Sequence, residues 1–301
     1  MHRIQQQFCA LFLIGIGALG AWPANTLAGQ TLDARYDRFM VVHEQTRGQS
    51  TAERAMAMSV AFDNGFAAAL ARDPASMDSQ DLATLFNAAN IAHAYSIQAT
   101  HLQAMQRAFG ELQARALVER RSFSDMHAAL MASRQFEQAS ALEKTFPQWN
   151  VESAPTLATS SSSGKTALAV QESGNTLTRT TLAVDQGARV VVISHPLCHF
   201  SRNAMAAIEA DPALSKAMAR SLWLAPVDRK LNLEVIRQWN GEHPEHPMVI
   251  AFDRAEWPDF DSWSTPMFYF LRDGKLVSVV EGWPSEGNKE ALLKAAEQIG
   301  L

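Results

Sequence analysis

The chain has 301 residues, 47% of them hydrophobic, and its 26 Lys and Arg against 31 Asp and Glu give a formal net charge of −5. Acidic and basic residues are interspersed, and the sequence has no basic block or aromatic-basic stripe, which excludes an electrostatic surface for nucleic acid. The length is sufficient for two domains.

The first 28 residues have the pattern of a secretory signal peptide. His2 and Arg3 form a basic start, and an apolar core follows at 8–20. This core is too short for a membrane span, which takes about 20 residues. The pattern predicts cleavage and export to the periplasm or out of the cell. Cys9 would be removed with it, so we expect Cys198 to be the only cysteine of a mature chain that has no membrane span.

Residues 29–150 are predicted to form an all-α domain of helical hairpins. The sequence is rich in Ala and nearly free of Pro and Gly, and its apolar residues recur at helical spacing. Asp78 or Ser79 is expected to cap a helix. The segment 126–139 resembles one helix-turn-helix of a tetratricopeptide-type repeat, without a clean repeat through the region. Four histidines of the helical patterns are expected at the surface or the edge of the core: His43, His93, His101 and His127.

A serine-rich linker is predicted at 151–165, and an α/β domain with a mixed sheet flanked by helices is predicted at 166–301. The segment 241–263 is longer than such a domain needs and is expected either to shape access to a site or to form a surface loop. Strands are predicted at 167–170, 176–184, 189–194, 222–227, 248–252, after Pro266 and at 276–281, and helices at 200–208, 231–239 and 289–299.

Cys198 lies between the predicted strand at 189–194 and a run of helix-forming residues, so we expect it at a strand-to-helix junction. The first turn of a helix has unpaired backbone N–H groups and a partial positive charge. Both stabilise a thiolate and lower the pKa of the thiol. The position therefore predicts a reactive cysteine, against the alternative of an inert buried one.

Ser264-Thr265-Pro266 leads into a predicted hairpin. Together with Cys198-His199-Phe200-Ser201, this resembles the thioredoxin-like superfamily, in which Cys-x-x-Cys opens the first helix and a cis Thr-Pro faces it. The resemblance covers about residues 165–301. It implies a thioredoxin-like fold with Thr265 and Pro266 beside a substrate groove. The chain departs from the pattern where Ser201 replaces the second cysteine and where Val192 replaces a buried acid that thioredoxins often carry.

These residues predict thiol-disulfide or mixed-disulfide chemistry on protein or peptide partners, without a cofactor. Cys198 would be the nucleophile, and Ser201 can donate a hydrogen bond to its sulfur but cannot resolve an adduct. His195 and His199 flank the cysteine, where an imidazolium would favour the thiolate; the alternative is that they are ordinary loop and helix-surface residues. The sequence leaves open whether the chain is an enzyme, such as a monothiol isomerase or oxidoreductase.

Two other functions remain open from the sequence. A metal site is the first, because His195, Cys198 and His199 are ligand types for copper or zinc, with His243 or His246 as further candidates. The second is a non-catalytic exported adaptor or chaperone that binds peptides through the helical domain and the thioredoxin-like groove. Five tryptophans are candidates for such a surface, although core packing is their more frequent role: Trp223, Trp239, Trp257, Trp263 and Trp283.

Overall fold

The computed structural model describes residues 29–158 and 163–301. The predicted signal peptide at 1–28 and the centre of the predicted serine linker, 159–162, lie outside the described residues. In the described part of the chain, no helix combines the length and apolarity that crossing a membrane requires.

The first half of the described chain is helical, as predicted. Its helices are α1 Leu32–Gln45, α2 Thr51–Leu70, α3 Ser79–Ser96, α4 Ala99–Ala114, α5 Arg120–Ala132 and α6 Phe136–Thr145. Helix α3 is central, since it packs against α1, α2, α4 and α5. Side chains satisfy the free amides at two helix starts: Ser50 and Glu53 form a capping box on α2, and Asp78 accepts from the Asp81 amide at 2.7 Å. Asp78 is therefore the cap of α3.

Helices α5 and α6 form the helix-turn-helix predicted around 126–139, joined by the turn 133–135. The resemblance of this helical hairpin to a tetratricopeptide-type repeat stays a prediction.

Three histidines of the helical region lie deeper than the sequence predicted. His93 and His101 are fully buried, and His127 is 4% exposed. Each has a side-chain partner from another element: Ser133 for His93 at 2.8 Å, Asp63 for His101 at 3.3 Å and Glu143 for His127 at 2.8 Å. The expectation of surface or core-edge positions is wrong for these three, because a distant polar partner binds one ring nitrogen of each imidazole inside the core, although His93 Nδ1 has no partner among the described residues.

The second half contains one mixed sheet with the strand order β1-β3-β2-β6-β5-β4-β7-β8. Strands β4, β5 and β6 are parallel, whereas β7 runs antiparallel to β4, and β8 antiparallel to β7. The strands are β1 Thr156–Ala158, β2 Thr166–Val170, β3 Thr176–Thr181, β4 Ala188–Ile193, β5 Ser221–Ala225, β6 Met248–Ala251, β7 Met267–Arg272 and β8 Lys275–Glu281, and the helices are α7 His199–Ala210, α8 Pro212–Met218, α9 Leu233–Glu242 and α10 Lys289–Ile299.

Alternate residues of β4 point to the two faces of the sheet and join different cores. Val190 and Val192 pack in one cluster with the buried residues of α7, α8, α9 and α10. Val191 and Ile193 pack in the other cluster. On this second face of the sheet the loop 252–263 packs over the strands, and its buried aromatic residues are Trp257, Phe260 and Trp263. The prediction of a sheet flanked by helices thus holds for one face, and the long segment after α9 covers the other.

Several side chains join the helical region to the sheet region. Arg134, in the turn between α5 and α6, donates to the carbonyl oxygens of Ala251 at 2.6 Å and Phe252 at 3.2 Å. Strand β1 lies within the stretch predicted as linker and pairs in parallel with β3. The two parts of the chain therefore contact each other directly, beyond their covalent connection.

Candidate functional site

Cys198 is the N-cap residue of α7 and is separated from the end of the buried strand β4 by the four residues 194–197. Its amide donates to the carbonyl of His195 at 2.9 Å, and its carbonyl accepts the first helical bond from Arg202 at 3.1 Å. The sulfur therefore lies at the end of the helix where backbone N–H groups lack partners within the helix. The side chain is half-buried and not in a disulfide. This is the strand-to-helix junction that the sequence predicted.

The segment before β7 brings a second element to the cysteine. The Thr265–Pro266 peptide bond is cis, as the resemblance implied. The Cys198 thiol donates to the carbonyl oxygen of Thr265 at 3.2 Å. Because β4 and β7 are neighbouring antiparallel strands, with Ile193 opposite Met267, the loop that follows β4 lies beside the segment that precedes β7. The structure thus brings together Cys198, Thr265 and Pro266.

Two opposing effects act on the pKa of Cys198. Burial raises it, while hydrogen bonds from Thr265, from the Ser201 amide and hydroxyl, and from the Phe200 amide lower it. The net result is a pKa below the ordinary value for a thiol. The amide donors belong to the first turn of α7, so the helix start itself favours the thiolate.

Ser201 lies where a dithiol site would have its second sulfur, three residues after Cys198. The side chain is fully buried, and its hydroxyl is 3.5 Å from the His195 amide, which donates to it. Its amide and its hydroxyl both lower the pKa of the Cys198 thiol.

His195 is half-buried on the loop between β4 and α7. Its Nδ1 accepts a hydrogen bond from the backbone amide of Leu197 at 3.1 Å, and its Nε2 lies 3.5 Å from the side-chain nitrogen Nδ2 of Asn232. Burial lowers the pKa of His195, and the carboxylate of Asp228 only partly opposes this. The ring is therefore neutral at pH 7. This does not support the predicted role of an imidazolium, and it gives His195 the role of fixing the loop that leads to Cys198.

The exposed side of the site carries His199, Leu197 and Phe200. His199 is exposed and its Nε2 lies 3.2 Å from the side-chain amide of Asn203 on the same helix. Leu197 is 58% exposed and Phe200 is 52% exposed, so two large apolar side chains lie at the surface on either side of Cys198 in the sequence. A partner that approaches the sulfur meets these two apolar side chains.

The metal alternative has no geometric support in the described residues, where no three His, Cys, Asp or Glu side chains are grouped to hold an ion. His243 is instead paired with Glu209, with 2.7 Å between Nδ1 and Oε1. His246 is buried beside Ser221 and Trp223. The five tryptophans named as candidates for a binding surface are also buried, each with at most 9% of its surface exposed, and they pack in the cores.

The sequence did not identify the segment 228–233 as part of the site. Asn232 has a left-handed backbone at φ 52° immediately before α9, and it faces His195. The carboxylate of Glu152 accepts from the amides of Leu231 at 2.8 Å and Leu233 at 3.2 Å, which holds this segment in place. The available signal was an Asn at the start of a predicted helix, a residue type that favours caps and left-handed backbone.

Comparisons with known proteins give little to set beside this geometry. No protein-family model matches the chain, and no curated protein matches it. A solved structure of a thioredoxin-like protein from Bacteroides caccae is similar over 83% of this chain and 94% of that one, with 13% sequence identity and a TM-score of 0.32. The functional argument therefore rests on the residues of this chain.

Proposed function

We propose that this chain is an exported thioredoxin-like protein that carries out monothiol exchange on protein disulfides through Cys198. The observation that carries the proposal is the position of the sulfur. It is half-buried at the start of α7, opposite the Thr265 carbonyl and the cis-Pro266, with a pKa below that of an ordinary thiol. Reactive cysteines require such a thiolate-stabilising and accessible environment.

The reaction is a thiol-disulfide exchange. The Cys198 thiolate attacks one sulfur of a partner disulfide, a new S–S bond forms, and the original S–S bond breaks. The displaced partner thiolate takes up a proton from water. The products are a mixed disulfide and a free partner thiol, and no net oxidation or reduction takes place.

Ser201 determines how the mixed disulfide is released. A hydroxyl cannot attack a disulfide, so the chain does not resolve its own adduct as a dithiol would. Release takes a thiol from outside the chain, either the thiol just freed on the partner or a separate small thiol. Attack by a different thiol of the same partner gives a new disulfide pairing and corresponds to isomerisation, whereas attack by the thiol just displaced only re-forms the original disulfide. Attack by a separate thiol corresponds to reduction of the adduct.

The surroundings of the sulfur favour a protein partner. Leu197 and Phe200 flank it with exposed apolar surface, and apolar surface is buried favourably against an unfolded or extended polypeptide. Thr265 and Pro266 border the same side of the site. We therefore expect disulfides with apolar neighbours in the sequence to react faster than glutathione disulfide.

The test is direct detection of the adduct. The purified protein is incubated with a peptide whose disulfide has apolar flanking residues, and separately with glutathione disulfide, and intact masses are measured. The proposal expects one reducible adduct at Cys198, formed faster with the peptide. The absence of any adduct at Cys198 with either disulfide would refute it.

A further inference from the structure

A cavity of about 750 Å³ lies between the helical region and the loop 252–263. One side is formed by the ends of α2, α3 and α4 and by the turn between α5 and α6. The other side is formed by the loop that covers the second face of the sheet. The volume is in the range of pockets that hold small organic molecules, and junctions between two parts of a fold are where such pockets occur most often.

The cavity has a largely apolar and aromatic wall. Tyr95 and Leu102 contribute from the helices, and Trp257, Phe260 and Trp263 contribute from the loop. The two tryptophans and Phe260 also belong to the second core, so their backbone is held by packing rather than free to close the space. A molecule that binds in the cavity against this wall would have an apolar or aromatic body.

Two arginines, Arg134 and Arg254, line the same cavity. Arg134 donates to three backbone carbonyls, those of Met131, Ala251 and Phe252. Arg254 donates to the carbonyl of Val227 at 3.0 Å, and its Nε has no hydrogen-bond partner in the described part of the chain. Carbonyl oxygens satisfy N–H groups but do not neutralise a charge, and among residues 29–158 and 163–301 neither guanidinium forms an ion pair.

Two carboxylates, those of Asp253 and Asp261, line the same cavity, but both side chains are exposed, so water screens their charge more than that of the partly buried arginines. Asp253 accepts from the Ala255 amide at 2.9 Å, and Asp261 accepts from the Tyr269 hydroxyl at 3.3 Å. Burial lowers the pKa of Arg134 to about 10 despite the opposing effect of Asp253 and Asp228, and it lowers the pKa of Arg254 despite Asp228. The positive charge is thus held at a cost that an anion in the cavity would offset.

We propose that this cavity binds an organic carboxylate with an apolar or aromatic body, its anionic group paired with Arg254 and Arg134. The site is separate from Cys198, and the proposal does not depend on the thiol chemistry proposed above. Such a carboxylate belongs either to a free small acid or to the C-terminus of a peptide with an apolar last residue.

Binding is tested by calorimetry on the purified protein with matched pairs of probes. The pairs are 4-phenylbutyrate with its neutral amide, and acetyl-Ala-Ala-Ala-Phe with its C-terminal amide. The proposal expects at least one acid to bind with a Kd of about 1 mM or tighter and its amide to bind at least about tenfold more weakly. The tighter of the two acids identifies the source of the carboxylate. Failure of both acids to bind, or equal binding of acid and amide, would overturn it.

Variants locate the bound acid. Arg254→Gln removes the charge, and Ala55→Phe places a ring in the cavity from half-buried Ala55 on α2. Both are expected to weaken acid binding at least about tenfold. Arg121→Gln and Ala68→Phe are the matched controls at exposed helix positions, and Cys198→Ser tests independence from the thiol; all three should bind as the unmodified protein does.

The two cavity variants are independent tests of the site. If Arg254→Gln does not fold, judged by circular dichroism, Ala55→Phe and the comparison of acid with amide still decide. Full-strength binding in a folded Arg254→Gln protein, or in a folded Ala55→Phe protein, would overturn the assignment.

Discussion

The sulfur of Cys198 lies 3.2 Å from the carbonyl oxygen of Thr265, across the gap between the end of β4 and the start of β7. The carbonyl accepts a hydrogen bond only from the neutral thiol, so this contact favours the thiol and is lost when the sulfur ionises. Hydrogen bonds from the Thr265 side chain and from the first turn of α7 favour the anion, and the net pKa is below that of an ordinary thiol. The sulfur thus lies beside the Thr265–Pro266 edge, along which we expect a partner to approach.

Replacing the nucleophile should remove the chemistry and leave the fold intact. Cys198→Ser keeps a small polar group at the N-cap of α7, a position that favours Ser. We expect no adduct with peptide disulfide, and a change in unfolding free energy within about 1 kcal/mol. Intact mass and denaturant unfolding measure the two quantities. An adduct of undiminished yield in this variant would place the reactive group elsewhere.

Ser201 should tune the pKa of the cysteine. In Ser201→Ala the sulfur loses a hydroxyl donor, so its pKa should rise and its alkylation rate at pH 7 should fall roughly threefold to tenfold. Ser194→Ala is the matched control, because the buried Ser194 hydroxyl has no partner in the described residues. Equal rates in the two variants would mean that the Ser201 hydroxyl does not act on the sulfur.

A second thiol should convert the site to a cycling dithiol. Ser201→Cys places a sulfur three residues after Cys198 at the start of the same helix, where it can attack a mixed disulfide at Cys198. We expect the variant to reduce a peptide disulfide catalytically with dithiothreitol as the electron source, at a rate above that of the unmodified protein. No gain in rate would show that the inferred geometry of the site is wrong.

His195 should be neutral and should carry its proton on Nε2. The Leu197 amide donates to Nδ1, which leaves Nδ1 without a proton, and burial lowers the pKa below that of free histidine. Nitrogen NMR shifts across a pH titration measure both the tautomer and the pKa. A proton on Nδ1, or a pKa above about 6.5, would contradict this assignment.

His93 should make the protein sensitive to acid. Burial, with smaller contributions from Arg229 and His101, lowers its pKa from 6.5 to about 3. Between these two values the unfolded chain binds a proton at His93 and the folded chain does not. The stability is therefore full above pH 6.5 and falls as the pH is lowered toward 3, by a total on the order of 5 kcal/mol. Denaturant unfolding at several pH values measures it. A His93→Gln protein should lose part of this dependence, and an unchanged slope would contradict the assignment.

The sequence located the centre of the site because its signals there are local. Strand β4 is a run of β-branched residues, helix formers follow Cys198, and Thr265-Pro266 directly precedes the apolar strand β7. Each pattern extends over fewer than about ten residues, the range over which periodicity and cap chemistry act. The pairing of β4 with β7 then brings the two segments together.

The features that the sequence did not identify depend on contacts between distant residues. Asn232 reaches His195 from 37 positions away, and Asp63 reaches His101 from 38 positions away. Periodicity contains no information about such pairs. Strand β1 has only three residues, too few for an alternating pattern. Helix α8 did have a local signal, since Asp211 caps it and Pro212 opens it.

The most direct test of the proposed function is the pKa of Cys198. It is measured from the pH dependence of alkylation at this residue, resolved by peptide mass spectrometry so that Cys9 does not contribute. We predict a pKa below that of the cysteine in an unstructured peptide measured in the same way, and labelling that needs no denaturant, because the sulfur is half-exposed and the start of α7 favours its anion. A pKa at or above that value, with slow labelling in the folded protein, would contradict the proposal that Cys198 is a nucleophile.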